Sequence, residues 1–103
     1  MKHNLNSDEA QKFLSDIHGH RAFWVNNGHV IKNLDELKHA LRTMDQKTFM
    51  HHLNKEKNDF AKWVVDVVGD TALGKSIAKA KTQKSAEKKI EFRIKQLRGV
   101  ASS

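Results

Sequence analysis

The sequence predicts a mainly α-helical fold, a compact bundle of about five to six short helices with one small β-hairpin near residues 22–32. Three observations predict it. Proline is absent, and Lys, Leu, Ala, Glu and Gln, all good helix formers, are common. Apolar residues recur at helical spacing in one segment after another. A single Asn-Gly pair sits between two β-prone runs, the strongest short-range hairpin signal.

The elements follow in order. In "NSDEAQKFLSDIHG", Ala10, Phe13, Leu14 and Ile17 share one helical face, with Asn6 or Ser7 as cap and Gly19 as stop. "RAFWVNNGHVIKN" reads as strands at about 22–26 and 29–32 around Asn27-Gly28, in a type I′ turn. Phe23, Trp24 and Val25 cannot all face one side of a strand, so one of them is exposed or lies against the C-terminal helix. "NLDELKHALRTM" is an amphipathic helix capped by Asn33, with Glu36 placed as in a capping box and Leu34, Leu37, Leu41 and Met44 facing inward. "DQKTFMHHLN" starts at Asp45 and buries Phe49 and Leu53, and "NDFAKWVVDVVG" starts at Asn58. "DTALGKSIAKA" comes next. In "SAEKKIEFRIKQL", Ala86, Ile90, Ile94 and Leu97 line one face, Lys84, Lys88 and Lys95 fall opposite, Arg98 lies at the flank, and Phe92 falls off the stripe.

A chain of 103 residues allows one domain, which must use most of its large apolar side chains to build a core. The absence of cysteine excludes disulfides, thiolate metal sites and cysteine nucleophiles. No apolar run approaches the roughly 20 residues of a membrane span. No secretory signal is visible, so a cytoplasmic protein is expected. The net charge of +7 is unevenly placed. Residues 1–70 balance ten Lys/Arg with ten Asp/Glu, whereas residues 71–103 carry nine against two. The expected organisation is a neutral helical domain with the hairpin over residues 1–80. A basic amphipathic helix and short tail over residues 81–103 either packs on that domain or serves association.

Gly69, Gly74, Lys75 and Ser76 satisfy G-x-x-x-x-G-K-[ST], the pattern of a phosphate-binding loop. That chemistry needs a strand before the loop, so that loop amides and a helix N-terminus converge on the phosphates. The preceding run fails the test. Phe60, Trp63, Val64, Val67 and Val68 follow helical spacing, and Lys62 and Asp66 then face solvent. No acidic strand for Mg²⁺ is present either. Gly69 is expected to stop one helix and Asp70 to cap the next, with Leu73 and Ile77 inward, Lys75 exposed and Gly74 an ordinary helix position.

The stretch from Phe23 to about Ile77 resembles a family of small, mostly uncharacterised prokaryotic domains. Phe23, Asn27-Gly28, Leu34-Asp35-Glu36-Leu37, Phe49 with His52, Asn58-Asp59-Phe60 with Trp63, and Gly69, Asp70 and Leu73 carry the likeness. The chain departs from it at Gly74, where the pattern has alanine. The resemblance covers about half the chain and implies a compact helical domain, found alone or attached to other proteins. It implies no activity.

The seven histidines, His3, His18, His20, His29, His39, His51 and His52, show no ligand spacing of a known metal geometry, and no metal or other cofactor is expected. His52 is expected to be partly buried beside Trp63, itself a core residue. Asn58 and Asp59 are read as cap and first turn. No serine–histidine–acid arrangement can be picked out, so the protein is expected not to be an enzyme. The strongest functional signal is the basic third: Lys75, Lys79, Lys81, Lys84, Lys88, Lys89, Arg93, Lys95 and Arg98 suit non-sequence-specific nucleic-acid (DNA) binding through phosphates. The alternative is a protein–protein interaction module, a homodimer or adaptor using the C-terminal amphipathic helix. A membrane partner is not expected, for want of apolar bulk.

Overall fold

The computed structural model describes residues 5–102. His3 and Ser103, which enter the readings above, lie outside the described residues. Among these residues there are six helices and one two-stranded antiparallel sheet. The order is α1 (Ser7–Leu14), a 3₁₀ turn (Gly19–Arg21), β1 (Phe23–Trp24), β2 (Val30–Ile31), α2 (Leu34–Thr43), α3 (Gln46–His52), α4 (Asp59–Trp63, continued by a π-helical turn Val64–Val68), α5 (Thr71–Ala78) and α6 (Gln83–Ala101).

Capping fixes where most helices start. Asn6, Asn33, Asp45, Asn58, Asp70 and Thr82 each accept a hydrogen bond from the backbone N–H three residues on. Around Asn6 the capping box is complete. At α2 it is displaced by one residue, because Glu36 accepts from the N–H of Lys32 at 2.8 Å. Several helix ends are capped by neighbours. Gln83 donates to the carbonyls of Leu41 and Met44 at the end of α2, and Asn58 Nδ2 donates to Ile77 O at the end of α5.

The core is continuous, and α6 forms its spine, packed against α1 and α2 and, more lightly, α5. Ala86, Ile90, Ile94 and Leu97 are fully buried there, as are Leu34, Leu37 and Leu41 of α2. A second region gathers Phe23, Phe49, His52, Phe60 and Trp63.

Three local expectations are corrected. Helix α1 ends at Leu14, and Gly19 instead opens the 3₁₀ turn with φ +66°. Ser15 and His18 between them are extended, and Ile17 N–H donates to Lys32 O, so the chain joins the hairpin edge before any helix could reach Gly19. The hairpin is shorter than expected, with Phe23 opposite Ile31 and Trp24 opposite Val30. Its turn is not type I′: among the described residues only glycines have positive φ, so Gly28 is left-handed (+95°) and Asn27 is not. Gly28 N–H donates to Val25 O and Val25 N–H to His29 O, the pattern of a three-residue loop in which a type I turn is followed by a left-handed glycine. The third correction concerns Gly74. It is buried where α5 crosses the π-helical turn, and a Cβ there would lie 2.2 Å from Val65 Cγ2.

Candidate nucleic-acid interface

The phosphate-loop pattern is settled by its surroundings. Val64–Val68 is helical, and Gly69 ends it with φ +92°, its N–H reaching back to Val64 O at 2.8 Å. The loop amides are used within the chain. Thr71 N–H donates to Gly69 O, Gly74 N–H to Asp70 O, and Leu73 N–H to Asp70 Oδ1. A carboxylate therefore caps the helix where such a loop would receive a phosphate. Leu73 and Ile77 are buried, and Lys75 is exposed on α5.

Asp70 is only 1% exposed, and its two oxygens take a forked guanidinium: Arg93 Nε to Oδ2 at 2.7 Å and Nη2 to Oδ1 at 2.8 Å. Arg93 Nη1 also donates to Gln96. Arg98 pairs with Asp35 of α2. Arg93 is thus engaged inside the fold and Arg98 in an ion pair on its surface, so the unpaired cations of the basic third are lysines. Lys75, Lys79, Lys81, Lys84, Lys88 and Lys95 are exposed and Lys89 is half-buried. None of the seven has an ion-pair partner among the described residues.

The geometry of α6 explains why. Lys84, Lys88, Phe92 and Lys95 step up the face opposite the buried stripe, a ridge roughly 17 Å long at 1.5 Å per residue. Both carboxylates of the helix, Glu87 and Glu91, lie on the flank facing α2. There Arg42 donates to them, at 2.7 Å to Glu87 and 3.5 Å to Glu91. The hydrogen bond and charge of Glu87 in turn raise the pKa of Arg42. The acids that interrupt the lysine run in sequence are thereby turned off the ridge, toward the one guanidinium they share. Sequence reasoning missed Arg42, since only the packing of α2 on α6 brings it there. Phe92, placed off the stripe by periodicity, stands on the ridge 65% exposed.

At its N-terminal end the ridge meets an open cleft of about 860 Å³ between α3 and the start of α6. It is lined by Leu41, Phe49, Met50 and Leu53 and by the cations Arg42, Lys55, Lys81 and Lys84.

The remaining candidates are structural. His52 is buried against Phe23 and Phe60. Its Nε2 accepts the N–H of Asn26 at 2.9 Å, so the ring proton sits on Nδ1 and is donated to Asp59 Oδ2 at 2.9 Å. Burial raises the pKa of the Asp59 carboxyl, but hydrogen bonds from His52 and Lys57 and the charge of Lys57 outweigh it and hold the group below its ordinary value. Trp63 is core, its Nε1–H donated to Arg21 O at 2.9 Å. Trp24 is the exposed member of its run, at 62%. No three of His, Asp and Glu come together in a possible metal-binding group among the described residues. None of their helices is long and apolar enough to cross a membrane.

Comparison with family models, curated proteins and solved structures finds no match to the chain.

Proposed function

We propose that the protein is a non-enzymatic, non-sequence-specific nucleic-acid-binding protein that grips the phosphate backbone through the lysine ridge of α6 and the neighbouring lysines of α5 and the α5–α6 turn. The observation that carries this reading is the separation of charge on α6. Its lysines stand free on the outer ridge, while Glu87 and Glu91 are drawn aside to Arg42. A solvated face that served only solubility would need no such sorting. Each phosphate neutralised by a lysine releases bound counterions, so affinity for duplex DNA falls steeply with salt. A cytoplasmic setting fits this reading, with no cofactor.

The alternative, a homodimer or adaptor built on the C-terminal helix, is less well supported. The apolar stripe it would use, Ile90, Ile94 and Leu97, is buried against α1 and α2 of the same chain.

The test is fluorescence anisotropy of a labelled DNA oligonucleotide with the full chain. Binding at roughly 50 mM salt that weakens strongly by roughly 200 mM is expected. Absence of binding at the lower salt refutes the proposal.

A further inference from the structure

We infer that the ridge of α6 is built for single-stranded rather than duplex nucleic acid, with Phe92 stacking on an unpaired base between flanking phosphates held by Lys88 and Lys95. The inference rests on the phosphate-binding reading above and adds the form of the ligand. Its starting point is the position of Phe92. The residue is 65% exposed and stands in the middle of the lysine ridge, so what singles it out is the company of cations rather than exposure alone.

Its helical neighbours on the exposed face are Lys88 at i−4, Lys95 at i+3 and Gln96 at i+4, and half-buried Lys89 lies at i−3. No second large apolar side chain is exposed on α6, so along this helix the ring is a single aromatic among cations. An apolar protein partner would find one ring on this helix, flanked by charge. A duplex would offer phosphates to the lysines but no accessible base face to the ring, because its bases are stacked on one another. A single strand offers both at once, and aromatic–base stacking is tolerant of sequence because every base has a π-face. The span from Lys84 to Lys95, roughly 17 Å, covers a few nucleotides of one strand.

The experiment compares three ligands of equal length at roughly 50 mM salt, where phosphate contacts are strong: an oligothymidine strand, an abasic strand with the same phosphates, and a duplex. Four full-length proteins are titrated: wild type, F92A, F92W and K88Q/K95Q. Wild type is expected to prefer the oligothymidine strand. F92A is expected to lose affinity for that strand on the order of tenfold and to bind the abasic strand and the duplex as wild type does. F92W should bind the thymidine strand at least as well as wild type, and K88Q/K95Q should weaken all three. If F92A binds the thymidine strand like wild type, stacking is refuted and phosphate binding stands. If no ligand binds wild type, the phosphate reading itself fails and stacking with it. Sedimentation closes the remaining route: a wild-type dimer that becomes monomeric in F92A assigns the ring to self-association and overturns the inference.

Discussion

Asp70 serves three elements at once. Its backbone N–H reaches Val64 O at the end of α4, its side chain caps α5, and its oxygens hold Arg93 of α6. A carboxylate buried this deeply depends on its partner, since removing one member of a buried pair leaves an uncompensated charge. R93A is expected to cost about 3–5 kcal/mol in urea unfolding, and R93K to recover only part of it, because lysine offers a point charge where the site holds a fork. Gly74 makes the second residue-scale prediction. Alanine there would gain helix propensity, about 1 kcal/mol, yet crowd Val65, whose χ1 is stiff in a helix. Overpacking of that kind costs about 1–3 kcal/mol, so G74A should destabilise the wild type. In a V65A background the same change should be neutral or stabilising, and the double-mutant cycle measures the coupling directly.

At the scale of elements, the turn of the hairpin is tied to α3 and α4 through one histidine. Asn26 N–H, His52 and Asp59 form a chain from the hairpin turn through α3 to α4. The ring nitrogen shifts of His52 in NMR are expected to show the Nδ1–H tautomer. An Nε2–H tautomer would contradict the chain. Asp59 in α4 and Asp45, the cap of α3, both have depressed pKa values. At Asp45 the main cause is the backbone hydrogen bond from Thr48. A carboxyl whose folded pKa lies below its unfolded one contributes stability in full above the unfolded value, about 3.9 for aspartate. That contribution is lost as pH falls through the folded value. Thermal unfolding should therefore shift to lower temperature below about pH 4, and D59N should shift less over that interval while being less stable at neutral pH.

These elements also mark what periodicity can carry. The stripe of α2 and the helix through Val64–Val68 were legible because burial on one face imposes a helical period on the sequence. The hairpin was legible from Asn27-Gly28, but its turn type was not: a left-handed glycine serves both a type I′ turn and a three-residue loop, and only the pairing of Val25 with His29 decides between them.

For the molecule as a whole, the packing of α6 against α1 and α2 sets the charge pattern. It hides the apolar stripe and leaves the lysines outside, while Arg93 is held by buried Asp70 and Arg98 pairs with Asp35 at the surface. The basic third was visible in the sequence as a count. Which cations stay free was not, because Arg42 meets Glu87 across 45 residues and Arg93 meets Asp70 across 23. Contacts at such separations leave no local period to read. Phe23, Phe49, His52, Phe60 and Trp63, scattered along the sequence, meet in one aromatic region in the same way, and Asn58 caps the helix that brings Phe60 and Trp63 there.

The central claim, that the ridge binds phosphates, is tested most directly by the salt dependence of DNA affinity for wild type and for K84Q/K88Q/K95Q. All three lysines are exposed and without an ion-pair partner among the described residues, so the variant should fold and melt like wild type. Each phosphate contact contributes about 0.9 to the slope of log K against log salt on duplex and about 0.7 on single strands. The account predicts a shallower slope for the variant, by roughly two to three, with weaker binding at every salt concentration. Equal slopes and equal affinities for the two proteins would contradict it.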